Sequence, residues 1–316
     1  MIWYAAKRVA LLVPVMFTVS IATFGLLLAV PGDPAAEIAG PNATEQQIAD
    51  VRDRLGLDES VVHQYLTWLG GVLHGDFGAS LVSLRPVTDM VVERLPVTLS
   101  LAFVALFIGT FFGVILGTIA ALRRGSLLDR ALTVLASLGI ATPNYWLGLL
   151  LILAFSLTLT WLPSSQYVPL GEDPVGWAEH LVLPGLALGA AFVAETTRQV
   201  RSAVLEVKDL PYITTARAQG MLPRAVVGKY IAKNAAVPVL TVIGLQFTRI
   251  LGGTVLVEQI FSLPGIGTLM VSAVLGRDLP VVQGVMFGAV LVAVVVNLVV
   301  DLSYAALNPK VRSQWS

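Results

Sequence analysis

Six apolar runs constrain what this chain can fold into. They are approximately Val9 to Val30, Pro96 to Leu122, Ala131 to Leu162, Leu181 to Ala194 with its flanks, Ala235 to Val257, and Leu279 to Val300. A hydrocarbon core about 30 Å thick is crossed by roughly 20 apolar helical residues at 1.5 Å each, so the runs predict six transmembrane helices. The third is longer than a bilayer needs and contains ATPNYW, where Pro143 removes a helix hydrogen bond, so a kink or tilt is expected there. The fourth is short and should extend into its neighbours. Lys7 and Arg8 precede the first run as they would in a secretory signal, but 22 uncharged residues running into PGDP are too many for a signal core, which favours an anchor. Composition agrees with a membrane setting: 56% of residues are hydrophobic and 13% charged, and mean hydropathy is +0.81.

Basic and acidic side chains cancel at 20 each, so the net charge points to no nucleic-acid partner and only the placement of charge is informative. Fourteen Lys and Arg fall in residues 1–8, 123–130, 195–234 and 301–316, against five in 31–95, 163–180 and 258–278. Positive residues are retained in the cytoplasm, which predicts that both termini and the segment 195–234 lie inside. The absence of cysteine excludes disulfides, thiolate metal sites and cysteine nucleophiles, and leaves the redox compartment open.

Three parts are expected: a tail and first membrane helix (1–30), an extracytoplasmic helical segment (31–95), and a core of five membrane helices (96–316) containing a cytoplasmic element at 211–234. In the outer segment Thr44 and Gln47 have capping-box spacing, and the helix they start should end near Gly56. A second helix, about Asp58 to Leu73, places Val61, Tyr65, Trp68, Leu69 and Val72 on one face, to pack on the membrane surface or on the bundle. HGDFGAS (residues 74–80) reads as a turn. A third short helix starts at Pro86, and Pro96 is expected to separate it from the second membrane helix.

Enzyme readings find little support. There is no G-x-x-x-x-G-K-[ST], so ATP cannot be held by a P-loop of this chain. There is no H-E-x-x-H, and His63, His74 and His180 fall in unrelated loops. Asp301 is the one acid close to a run interior, short of the carboxylate pair of an intramembrane protease.

The stretch PYITTARAQGMLPRAVVGKYIAKN (211–234) carries Arg217, Arg224, Lys229 and Lys233 and no acid. Tyr212 to Gln219 reads as a short helix, Gly220 as its left-handed terminator, and Met221 to Asn234 as a helix entering the fifth run. Its charge fits docking onto an acidic partner or cytoplasmic retention alone.

The order TTARAQG, followed at a distance by Pro238, resembles the EAA loop of ATP-binding-cassette importer permeases, in the form found in the B-type permease subunit of dipeptide and oligopeptide importers. Thr214 stands where the general motif has glutamate and Thr215 where it has its first alanine, while Ala216 and Gly220 match. The resemblance extends to PGDP (31–34), GDFGAS (75–80), ATPNYWLG (141–148), LGGTVLVEQIFSLPGIG (251–267) and DLSYAALNPKVR (301–312). It implies an all-α type I importer half-pore of six membrane helices in the bacterial cytoplasmic membrane. Its expected partners are a homologous second permease in a heterodimer, two cytoplasmic ATPase subunits holding ATP and magnesium, and an extracytoplasmic substrate-binding protein. No cofactor is expected on this chain. By this resemblance Thr214, Thr215, Ala216, Arg217, Gly220, Met221, Pro223 and Arg224 form the ATPase-coupling element, with Ala216 against the ATPase groove.

Arg249 is a charge inside the fifth run, which costs at least about 2.5 kcal/mol unless it faces a partner or water. It belongs either to a salt bridge within the assembly or to a translocation pathway with Gln246, Gly252 and Gly253, although the two glycines also suit close helix packing. Counting depth makes Asp301 a poor partner for it. Glu258, Pro264 and Gly265 are candidates for contact with the binding protein, or form a plain turn. The cargo is a dipeptide or oligopeptide, with glutathione, haem or nickel complexes as alternatives. A proton-coupled secondary transporter would need protonatable acids near mid-membrane and usually a duplicated helix set, neither of which is seen. A non-transport scaffold would leave Arg249 without a purpose.

Overall fold

A computed structural model of the chain describes residues 2–29, 34–40, 43–54, 56–232, 246, 249–250 and 252–307. The elements of the described residues are all helices: α1 (Ile2–Ala29), α2 (Pro34–Ala39), α3 (Glu45–Arg54), α4 (Val61–Leu73), α5 (Val87–Leu122), α6 (Leu127–Ala141), α7 (Asn144–Leu151, continued by a π-helical turn Ile152–Thr158), α8 (Pro174–Lys208), α9 (Pro211–Ala218), α10 (Pro223–Ala225, continued by π-helical Val226–Ile231), α11 (252–260), α12 (Ile266–Leu275) and α13 (Leu279–Leu307). Among these residues, α5, α8 and the part of α13 over Leu279–Val299 are long and apolar enough to cross a membrane, and α6 with α7 makes a fourth crossing if the bent pair counts as one. The fifth run, Ala235 to Val257, lies largely outside the described residues, and the first contributes the apolar stretch Ala10–Leu26.

Two compact units are present, Ile2–Pro96 with Thr268–Val294, and Val97–Gly267 with the chain from Val295 onward. The segment preceding Pro96 is thus grouped with residues 268–294 instead of standing apart. In that unit Asp278, buried, accepts from the Ser80 hydroxyl and from the Leu81 N–H at 3.0 Å. Gly284 is close enough to α5 that a methyl group there would meet Val87 Cγ1 at 2.5 Å.

Local signals in the outer segment are realised as drawn. Gln47 Oε1 accepts from the Thr44 N–H at 2.9 Å, and the Gln47 N–H donates back to Thr44 Oγ1 at 3.3 Å, closing the capping box. Gly56 has φ +64° just past α3. Ser60 caps α4 through the His63 N–H, so that helix begins three residues later than Asp58. Tyr65 packs edge-on against Phe24 and hydrogen-bonds Ser20 at 2.8 Å, while Trp68 meets Phe287. The aromatic face of α4 therefore packs on helices, not on the membrane surface.

Pro96 does not separate two helices: α5 runs unbroken over 36 residues with Pro96 inside it. A proline ring costs one backbone hydrogen bond and some strain, and the burial of Val97, Leu101, Ala102 and Ala105 on the same helix outweighs that local cost. Pro143 does more than kink. It sits at the start of α7 with φ −65° and ψ 133°, and α6 and α7 are bent from one another by 103°. A residue before proline is pushed out of helical geometry, which explains the extended Thr142 (ψ 124°) that completes the break.

The unit beginning at Val97 is organised around α8. Its first turn is capped by Asp173, which accepts from the Val175 N–H at 3.0 Å, with Pro174 at the first helical position. At 35 residues the helix is about 50 Å long by its rise per residue. A core of Val97, Leu101, Ala105, Leu181, Leu188, Phe192, Ile250, Val257, Phe261 and Leu263 surrounds its N-terminal half.

Candidate functional site

The element 211–224 is built from the chain's own capping chemistry. Pro211 opens α9 at its first position, where a missing N–H costs nothing. At the other end Gly220 has φ +77°, its N–H donates to Arg217 O at 3.0 Å, and the Met221 N–H donates to Ala216 O at 3.2 Å. These two bonds with a left-handed glycine are a Schellman motif, so the helix, sharp turn and restart expected from the sequence are present. Beyond the turn the restart is shorter in α-helix than expected, passing at Val226 into π-helical geometry.

A second apolar core seats this element. Ala121 from the end of α5, Val200, Ala203 and Val204 from α8, Ile213 and Ala216 from α9, and Val226 and Ile231 are all buried together, with Met221 packed against them. Ala216 therefore faces inward into this core. The expectation that it faces a partner's groove is corrected: Ile213 and Ala216, three residues apart, form the inner stripe of α9, and the outer stripe is elsewhere. Exposed on that outer side are Tyr212, Thr214, Thr215, Arg217 and, past the turn, Leu222, Pro223 and Arg224.

Contacts along α8 connect this element to the rest of its unit. On α5, Gly109, Gly113 and Gly117 lie so close to α8 that methyl groups there would meet Phe192 Cβ at 2.5 Å, Thr196 Cβ at 2.5 Å and Thr197 O at 2.6 Å. The spacing G-x-x-x-G-x-x-x-G within an apolar run is a helix-packing signature legible in the sequence. On α6, Gly139 sits 3.0 Å from Ala194 by the same measure. Nearer the inner end, Arg201 of α8 grips Asp129 of α6 with two bonds, Nε to Oδ1 at 2.7 Å and Nη2 to Oδ2 at 3.0 Å. Asp129 is buried and also accepts from the Gly125 N–H at 2.9 Å. No local motif marks either residue, since the two are 72 positions apart in the sequence.

Arg249 has an intrachain partner. Its Nη1 lies 3.2 Å from Glu195 Oε1 and 3.3 Å from Oε2, with 66% of the Arg249 side chain exposed in the isolated chain. The Lys and Arg placement puts Glu195 at the start of the segment 195–234, but α8 continues to Lys208, which leaves Glu195 roughly 20 Å from the helix end. Counting depth from that end would have found the pair. Gln246 is buried, with Nε2 3.4 Å from Thr196 Oγ1, so its side chain is not open to a pathway. Gly252 is exposed and Gly253 packs on Leu188.

Glu258 is completely buried, with 0% exposure, and its carboxylate is unavailable to a binding protein. The Thr98 hydroxyl donates to its Oε1 at 2.7 Å, and the Ile266 N–H donates to Thr98 Oγ1 at 2.8 Å. A methyl group at Gly265 would overlap the carboxyl group, and one at Gly267 would come within 2.8 Å of it. The glycines of SLPGIG thus allow the acid to lie against the loop backbone. Gly265 is buried and Pro264 exposed, which leaves Pro264 as the outward residue of the three expected contacts.

Residues 113–313 match the family described as binding-protein-dependent transport system inner membrane component, and residues 1–102 match the N-terminal family of such membrane components. A putative peptide transport system permease protein of Brucella abortus is 44% identical over 306 residues, covering 97% of this chain and 98% of that protein. A probable peptide ABC transporter permease of Sinorhizobium fredii is 40% identical, covering 98% and 99%. The glutathione transport system permease protein GsiC of Escherichia coli is 42% identical, covering 99% of each. Among solved structures, an inward-facing MetNI methionine ABC transporter superposes with TM-score 0.57 at 19% identity, over 69% of this chain and 96% of that one, a likeness of fold.

Proposed function

Because the chain belongs to the family of binding-protein-dependent transport system inner membrane components, a group of multi-pass cytoplasmic-membrane permeases, we propose that it forms half of the pore of an ATP-driven importer for dipeptides or oligopeptides. The reading has six membrane crossings and both termini in the cytoplasm. A homologous second permease completes the pore, two cytoplasmic ATPase subunits bind ATP and magnesium, and an extracytoplasmic binding protein delivers the cargo. Two of the similar proteins carry peptide in their names and one glutathione, itself a peptide, at comparable identity, so peptidic solutes are the class that fits all three.

The observation that carries the reading is the α9–turn–α10 element: a short helix seated by Ile213 and Ala216 in one apolar core with α8 and residues 226–231, with Thr214, Thr215, Arg217, Leu222 and Arg224 turned outward. A partner can bias such an assembly only through contacts that differ between its two states, and a rigid helix ending at a glycine passes on that difference better than a loop. Arg249 is exposed in the isolated chain and polar enough to demand water or a partner in a span, which supports placing it on the pathway with Glu195 beside it.

The test is reconstitution of all subunits in vesicles. Import of labelled dipeptide should require loaded binding protein and ATP, and a cysteine at Thr215 should cross-link to the ATPase. ATP turnover without peptide import would refute the cargo, and a Thr215 cysteine that reaches no ATPase would refute the docking assignment.

A further inference from the structure

The apolar core that seats the coupling element contains residues of α5, α8, α9 and α10 and none of α6. At that same level α6 is joined to α8 by the Asp129–Arg201 pair. Arg201 lies on the helix turn that carries Val200, Ala203 and Val204, which share one apolar core with Ile213 and Ala216 of α9 and with Val226 and Ile231. Asp129 sits in the first turn of α6, and its second oxygen is shared between Arg201 Nη2 and the Gly125 N–H. Gly125 holds φ +82°, and the Ser126 hydroxyl accepts from the Asp129 N–H at 3.2 Å, so the loop before α6 presents the carboxylate in one orientation. The guanidinium meets it edge to edge through two nitrogens, a geometry that fixes distance and angle together, as a lysine cannot.

We propose that Asp129 and Arg201 are positioning residues that pin the inner end of α6 to α8, so that a displacement of α9 by the ATPase is delivered to α6, and through the bend at Pro143 to α7, as well as to α8 itself. The proposal rests on the coupling reading of residues 211–224. Gly139 packs α6 on Ala194 of α8 farther from α9, so the pair acts on the end of α6 that the inner core does not reach. With the pin, the inner ends of α5, α6 and α8 respond as one body.

The experiment uses the complete transporter in vesicles with loaded binding protein. Asp129→Asn leaves the half-buried Arg201 guanidinium without its charge partner and could lower folding yield, so two further variants are compared. Arg201→Lys keeps the charge and loses the fork. Asp129→Leu with Arg201→Met replaces the pair by apolar side chains, a change that buried ion pairs commonly tolerate in folding. Expected for both is normal assembly and near-normal ATP turnover, with import per ATP hydrolysed reduced about five-fold or more, the lower range of a typical coupling energy. Spin labels at the exposed Leu127 and Ser202 should keep one separation through the ATP cycle in the unmodified protein, and a separation that changes with nucleotide in the apolar pair. Unchanged import per ATP in the apolar pair, failure of both variants to assemble, or a separation that already changes in the unmodified protein would each overturn the pin. A transporter whose unmodified form shows no ATP-dependent import would instead defeat the coupling reading beneath it.

Discussion

A Cβ built at Gly220 would meet no atom within 4 Å, yet the residue holds φ +77°, so conformation alone restricts it. A β-branched side chain there costs on the order of 1–2 kcal/mol and redirects α10, whereas asparagine enters this region readily. Gly220→Val should therefore lower import per ATP with the permease still in the membrane, and Gly220→Asn should keep most of it; equal import by both would remove the left-handed turn from the mechanism. Ala216 is limited for the opposite reason. It is buried against its own chain, so Ala216→Trp overpacks the inner core by about 1–3 kcal/mol. The expected signature is a lower melting temperature of the isolated permease, and a melting temperature left unchanged would contradict the inward placement. Arg217→Ala removes an exposed charge worth under about 1 kcal/mol and should weaken ATPase affinity only slightly. At Arg249 the lysine variant retains a charge for Glu195 while leucine abandons it, so import should fall further in Arg249→Leu than in Arg249→Lys. Full import by the leucine variant would take Arg249 off the pathway.

Packing of α8 against α5 is decided by three glycines one turn apart. A methyl group at Gly113 already falls 2.5 Å from Thr196 Cβ, so Gly113→Leu must push the two helices apart. The expected cost is about 1–3 kcal/mol, read as earlier thermal aggregation in detergent. Gly25 of α1 has no atom near its Cβ position, and Gly25→Leu should stay within about 0.5 kcal/mol of the parent. Equal stability of the two variants would show that the glycine spacing is incidental. Among the described elements, α6 and α7 form a pair that length alone misread: a single apolar run from Ala131 to Leu162 becomes two helices turned by 103°.

For the chain as a whole, the Lys and Arg asymmetry predicts residues 31–95 outside and 195–234 inside. Ser60 and Ser202 are both exposed, and cysteines there are open to reagent on whichever side they occupy. A membrane-impermeant thiol reagent should label position 60 and spare position 202 in cells whose outer barrier admits it. The reverse pattern would invert the topology. The described residues carry three or four of the crossings, so this measurement bears directly on the proposed six.

The residues by themselves determined what depends on neighbours in the chain. Apolar runs declared the solvent, the Thr44–Gln47 box and Gly56 bounded α3, and Gly220 ended α9, because caps and left-handed turns are bonds between residues a few positions apart. The family motifs were legible for the same reason, as ordered strings. Which faces meet was decided in three dimensions. Glu195 and Arg249, Asp129 and Arg201, and Thr98 and Glu258 are pairs whose partners are remote in sequence, and nothing local to any one of them names the other. The inward turn of Ala216 and the passage of α5 through Pro96 belong with them, since in both cases burial against another helix outweighed what the residue would do alone.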